Sequence, residues 1–157
     1  MKHTLSVMVE NKPGVLARVA GLFSRRGFNI DSLAVGVTEK PEVSRMTVVV
    51  NVEEHSLEQV YKQLNKLINV IKVIDLPDDK SVQREMIMVK VKADAKTRAE
   101  VIEIVDIFRG KVVDVGKGTI SIEVTGPASK LTAFEELLRP YGLVELVRTG
   151  TIALPRG

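Results

Sequence analysis

The stretch Glu10-Asn11-Lys12-Pro13-Gly14-Val15-Leu16 holds the residues of this chain best suited to gripping a small ligand. An alternating apolar run precedes it and an amphipathic run follows, so it reads as a strand-to-helix turn. Pro13 presets a first helical turn and lacks an N–H that would be orphaned there. Gly14 has no Cβ, which lets a ligand come close to the backbone. The helix start behind it offers free N–H groups and the positive end of a dipole, a setting for a carboxylate. The same residues also make an ordinary turn, in which Asn11 is only a helix cap.

Other residue types that could do chemistry are scattered. His3 and His55 lie far apart and read as strand-edge or surface residues, since metal sites need clustered donors. Asp75, Asp78 and Asp79 read as a solvated linker. No Gly-x-Ser-x-Gly elbow is present. Gly116-Lys117-Gly118 is a hairpin turn and not a phosphate loop, because no helix follows it. There is no cysteine, hence no disulfide and no thiolate chemistry. The formal net charge is only +3, with 23 basic and 20 acidic residues interleaved, which gives no electrostatic footprint for nucleic acid. No apolar run reaches bilayer length and no signal-peptide core opens the chain. A cytoplasmic protein without membrane contact is expected.

The elements that must position the turn follow from periodicity. Residues 2–10 alternate as a strand, and a helix is expected over 14–26, stopped at Gly27. Phe28 to Val37 is a strand that begins with Asn29-Ile30, where Asn29 also has the local option of bonding backbone. Residues 38–42 read as a hairpin loop and 44–52 as a strand. Ser56 with Gln59 reads as the capping box of a second helix ending near Asn69. A strand over 70–76 closes the first unit. The order then repeats: strand 84–92, helix 96–108 stopped at Gly110, strand 111–115, strand 119–125, helix 128–139 and strand 143–147. The fold class is therefore α+β, two ferredoxin-like βαββαβ domains spanning 1–76 and 83–157, with a linker over 77–82. In the first domain Met8, Ile30, Ala34 and Val49 are expected on the sheet face away from the helices. A face that apolar predicts pairing between chains, a homodimer at least.

The residues Glu10-Asn11, Pro13-Gly14-Val15-Leu16, Gly21-Leu22-Phe23, Arg26-Gly27-Phe28-Asn29-Ile30 and Ser44-Arg45-Met46-Thr47 together resemble an amino-acid-binding ACT domain. More narrowly, the chain resembles the small regulatory subunits of acetolactate (acetohydroxyacid) synthase. Arg84-Glu85-Met86, the segment Ile107 to Val115 with Phe108-Arg109-Gly110, and Gly126-Pro127-Ala128-Ser129-Lys130-Leu131 continue the match into the second half. The resemblance implies a non-catalytic partner of a large catalytic subunit. That subunit would carry thiamine diphosphate, Mg and FAD, with no cofactor on this chain. It further implies activation of that subunit and feedback inhibition by valine or another branched-chain amino acid. The implied effector residues are Asn11, Pro13, Gly14, Val15 and Leu16 from one chain of a homodimer and Asn29 and Ile30 from the other.

Two other functions compete. The RNA-recognition fold shares this element order but stacks bases on aromatics of its central strands. Here Phe23, Phe108, Phe134, Tyr61 and Tyr141 fall on helices or turns, and only Phe28 borders a strand. A free-standing enzyme lacks an acid–base or metal cluster.

Overall fold

A computed structural model describes residues 1–157, the side chain of His55 excepted. The chain divides into two compact units, Met1–Gln83 together with Gly150–Gly157, and Arg84–Thr149.

The first unit runs β1 (Lys2–Glu10), α1 (Val15–Arg25), β2 (Asn29–Val37), β3 (Val43–Asn51), α2 (Glu54–Asn65) and β4 (Val70–Asp75). Its sheet has the antiparallel order β2-β3-β1-β4. This is the split βαβ topology expected from the repeat. Alternation sends Leu5, Val7, Met46, Val48 and Val50 to the helix side, where they meet Val15, Val19, Phe23, Val60 and Leu64 in one buried core. Two helix boundaries differ from expectation. The second helix starts after Glu53 with no side-chain cap, so Ser56 lies inside it, and it stops at Asn65. Asn69 instead joins α1 to the sheet, as described below.

The second unit continues with β5 (Ser81–Lys92), α3 (Arg98–Ile107), β6 (Lys111–Val115), β7 (Thr119–Gly126), α4 (Ala128–Leu138) and β8 (Leu143–Arg148). The sheet order is β6-β7-β5-β8. Ile87, Val89, Val91, Ile120, Ile122 and Val124 pack under Val101, Val105, Leu131, Phe134 and Leu138. The left-handed residue that stops α3 is Arg109, at φ 57°, one position before the expected Gly110. Arg148 ties β8 to the start of α4. It reaches Glu85 Oε2 at 2.7 Å and the Ala128 carbonyl at 3.0 Å. Glu85→Ala would leave a half-buried guanidinium without its carboxylate, so urea titration should show a loss of about 2 kcal/mol.

The segment 77–82, expected as a free linker, is ordered. A 3-10 turn spans Asp78–Lys80, and the buried Ser81 already belongs to β5. The tail, expected within the second domain, groups by its contacts with the first unit. Residues 150–157 go with the first unit, where β9 (Ile152–Pro155) pairs with β5 and Arg156 N–H donates to the Lys80 carbonyl at 2.9 Å.

The sheet face of the first unit away from the helices also differs from expectation. A bulge between Ile30 and Ser32 shifts the register, so Ile30 and Leu33 both face the helices. The opposite face carries Thr4, Ser6, Thr47 and Val49, all buried within the single chain, and the tail meets it at Ser32. That face does not require a second chain to leave water. No described helix is long and apolar enough to cross a membrane.

Candidate functional site

The turn after β1 is built as its residue types suggest. Gly14 is the residue before α1 and stands at φ 83°, a left-handed conformation that L side chains adopt only under strain. Arg18 N–H donates to the Gly14 carbonyl at 3.1 Å and starts the helical ladder. No side chain caps this helix start. Asn11 fastens the turn to the β2–β3 loop. Its backbone N–H donates to the Glu42 carbonyl at 2.8 Å and its Nδ2 to the Pro41 carbonyl at 3.0 Å. A carbonyl only accepts, so the amide orientation is set and Oδ1 is left for an outside donor.

The charges beside the turn are fixed by their neighbours. Lys12 is held by Glu10 at 2.7 Å, and that contact keeps the Glu10 carboxyl below its usual range. Arg18 donates from Nη2 to Asn69 Oδ1 at 2.8 Å, and Asn69 also accepts the Glu10 N–H at 2.9 Å. The Arg18 guanidinium therefore hangs over Gly14, where a Cβ would stand 3.5 Å from its Nη1. Nothing in the helical periodicity singles out Arg18. The available signal was its spacing four residues after a glycine, which puts it over a bare backbone.

The other implied residues sort by exposure. Val15 is buried in the core, so it can offer a ligand only its backbone. Leu16 stands 45 % exposed beside the turn, and Pro13 is exposed. Asn29 is exposed and donates from Nδ2 to Asp31 Oδ1, which likewise leaves its Oδ1 for another donor. Ile30 is half-buried against the core.

Within one chain these two groups do not meet. Asn29 lies opposite Asn51, which lies opposite Lys2, so Asn29–Ile30 sits at the end of the sheet where β1 begins. The turn sits where β1 ends. Eight strand steps separate the two ends, roughly 27 Å at the usual rise. Val37, at the far end of β2, aligns through Ser44 with Val9, next to the turn.

The matching turn of the second unit is closed by its own carboxylate. Asp94 Oδ1 accepts the Lys96 N–H at 2.8 Å and the Thr97 N–H at 2.9 Å. The Thr97 N–H, at the position before α3 that Gly14 holds before α1, is here taken by a side chain, whereas no side chain caps α1. The Thr97 amide, then the Lys96 amide, hold the Asp94 carboxyl below its ordinary 3.8. A lowered folded value means that this contribution to stability is present above the unfolded pKa and is lost as pH falls through the folded one. An acid titration of Asp94→Asn should therefore lack the part of the stability loss that the parent shows below about pH 4.

Among the described residues, no group of three or more His, Cys, Asp or Glu converges on a metal position. His3 faces the core opposite Val50, with Nε2 buried and unpartnered. His55 lies outside the described side chains. The central strands β1, β3, β5 and β7 carry no Phe, Tyr or Trp, so neither sheet has a base-stacking platform.

Two βαββαβ repeats, the first with an open glycine turn and the second with that turn sealed, define a two-repeat ACT-type protein. The family model described as the AHAS small subunit-like ACT domain matches residues 5–72, and that of the small subunit of acetolactate synthase matches 84–157. The chain belongs to the family of acetolactate synthase small subunits. It is 58% identical over 155 residues to the acetolactate synthase small subunit of Mycolicibacterium smegmatis, covering 99% of this chain and 91% of that one. The probable acetolactate synthase small subunit of Archaeoglobus fulgidus is 55% identical, covering 100% and 98%. The crystal structure of the acetolactate synthase small subunit from Thermotoga maritima superposes with a TM-score of 0.95 at 42% identity, covering 100% and 98%.

Proposed function

We propose that the chain is the non-catalytic, regulatory subunit of an acetolactate synthase. It binds the large catalytic subunit, raises its activity and confers feedback inhibition by valine or another branched-chain amino acid. The thiamine diphosphate, Mg and FAD of the reaction belong to the catalytic partner. In this reading two copies pair antiparallel through their β2 edges, where Val35 and Val37 are 47% and 66% exposed. A two-fold axis through the middle of β2 brings Asn29–Ile30 of one copy to the end that carries Asn11 and Gly14 of the other. The observation that supports this most is the separation of the two halves within one chain, which an antiparallel pair of copies removes.

The chemistry of the halves suits a zwitterion. The N–H groups at Gly14 and the Arg18 guanidinium take the carboxylate. The Oδ1 atoms of Asn11 and Asn29 take the ammonium. Leu16 and Ile30 supply an apolar wall. Valine binds one conformation of the pair better and shifts the attached enzyme toward a less active state. The test is co-purification with the catalytic subunit, followed by activity with and without valine. Loss of the activation and of the valine response in that complex would overturn the reading.

A further inference from the structure

We propose that Gly150 and Thr151 position the effector site, by bracing β2 at its midpoint. This rests on the effector reading above. Strand β2 is an edge strand that pairs with β3, and its ladder is interrupted by the bulge at Asp31. Immediately after the bulge the tail takes over. Thr151 N–H donates to Ser32 Oγ at 2.7 Å. Gly150 lies against the backbone of Leu33 so closely that a Cβ there would stand 2.3 Å from its carbonyl oxygen and 3.0 Å from its nitrogen. No side chain fits at position 150 unless β2 moves.

The brace is seated and not a loose end. Thr151 is 7% and Ala153 5% exposed. On one side Thr149 N–H donates to the Met86 carbonyl at 3.0 Å while Thr149 Oγ1 accepts the Met86 N–H at 2.9 Å. On the other side Arg156 is held by Lys80. Leu33 is the middle residue of β2, Asn29–Val37. A two-fold pairing of β2 edges crosses at that residue. The tail thus fixes the point that sets where Asn29–Ile30 of one copy falls relative to the turn of the other.

The test uses the full chain and three variants: Gly150→Val, Ser32→Ala and deletion of 150–157. Amide hydrogen exchange at residues 30–34 is compared with residues 5–7 of β1. Exchange in β2 should quicken by about tenfold in Gly150→Val while β1 is unchanged. Calorimetry with valine should show affinity weakened by about tenfold. Ser32→Ala removes only the acceptor, so it should move both readouts in the same direction with little change in melting temperature. It carries the test if the deletion unfolds the chain. Unchanged exchange at 30–34 in Gly150→Val and Ser32→Ala would overturn the proposal. If the unmodified chain binds no branched-chain amino acid, the effector reading fails, and the exchange comparison still decides whether the tail braces β2.

Discussion

Gly14→Asp abolishes amino-acid binding and leaves the chain folded: this is the expected result at the turn. The left-handed φ of 83° makes any side chain there cost about 1 kcal/mol, a loss that a domain of this size survives. The added volume is tolerable, because a Cβ would meet Arg18 only at ordinary contact distance. The added charge is not. An aspartate at this position places its own carboxylate on the N–H groups and guanidinium proposed for the ligand, much as Asp94 fills the corresponding turn of the second unit. Valine would then have to bring a second carboxylate beside the first, and affinity should fall by at least about a hundredfold. Gly14→Ala carries the strain without the charge, so it separates the two causes. Calorimetry with valine on both variants, and inhibition of the reconstituted complex, give the answer. Unaltered valine inhibition with Gly14→Asp would remove the turn from the site. Equal losses in both variants would mean that conformation, not charge, is what the turn supplies.

The largest effect on stability is expected at Phe134. Its ring is fully buried and stands edge-on to Phe108, with centroids 5.3 Å apart. It fills the space between Leu131, Leu138 and the helix side of β5 and β7. Phe134→Ala should cost about 3–5 kcal/mol, most of what a small core supplies. Urea unfolding followed by hydrogen exchange should show the protection of β5 and β7 collapsing, and Phe134→Leu should recover most of it. A loss below about 1 kcal/mol would mean that the core closes over the cavity and that the second unit is less tightly packed than its buried cluster indicates.

The element order was legible in the sequence because its causes are local. Alternation in 2–10 and 84–92, the helical spacing of Val15, Val19 and Phe23, and the glycine after α1 each act within a few residues. The Gly14 turn was legible for the same reason. What escaped depends on pairing. The bulge at Asp31 is set by the register of β2 on β3, and it reversed the face assigned to Ile30. Arg18 was silent until Asn69, 51 positions away, held it over Gly14. The helix stop at Arg109 fell one residue before the glycine expected to supply it.

The tail is the clearest division between the two kinds of information. Its residues carry little periodicity and were assigned to the second domain by position alone. Only the tertiary structure seats Gly150 on Leu33 and joins the end of the chain to the first unit, because a close backbone approach across more than a hundred residues leaves no local signal. By itself the sequence determined two βαββαβ units, an open turn built on Pro13-Gly14 and the family to which the chain belongs. The tertiary structure decided that the two halves of the proposed site stand at opposite ends of one sheet, since strand register, not residue type, fixes which ends coincide.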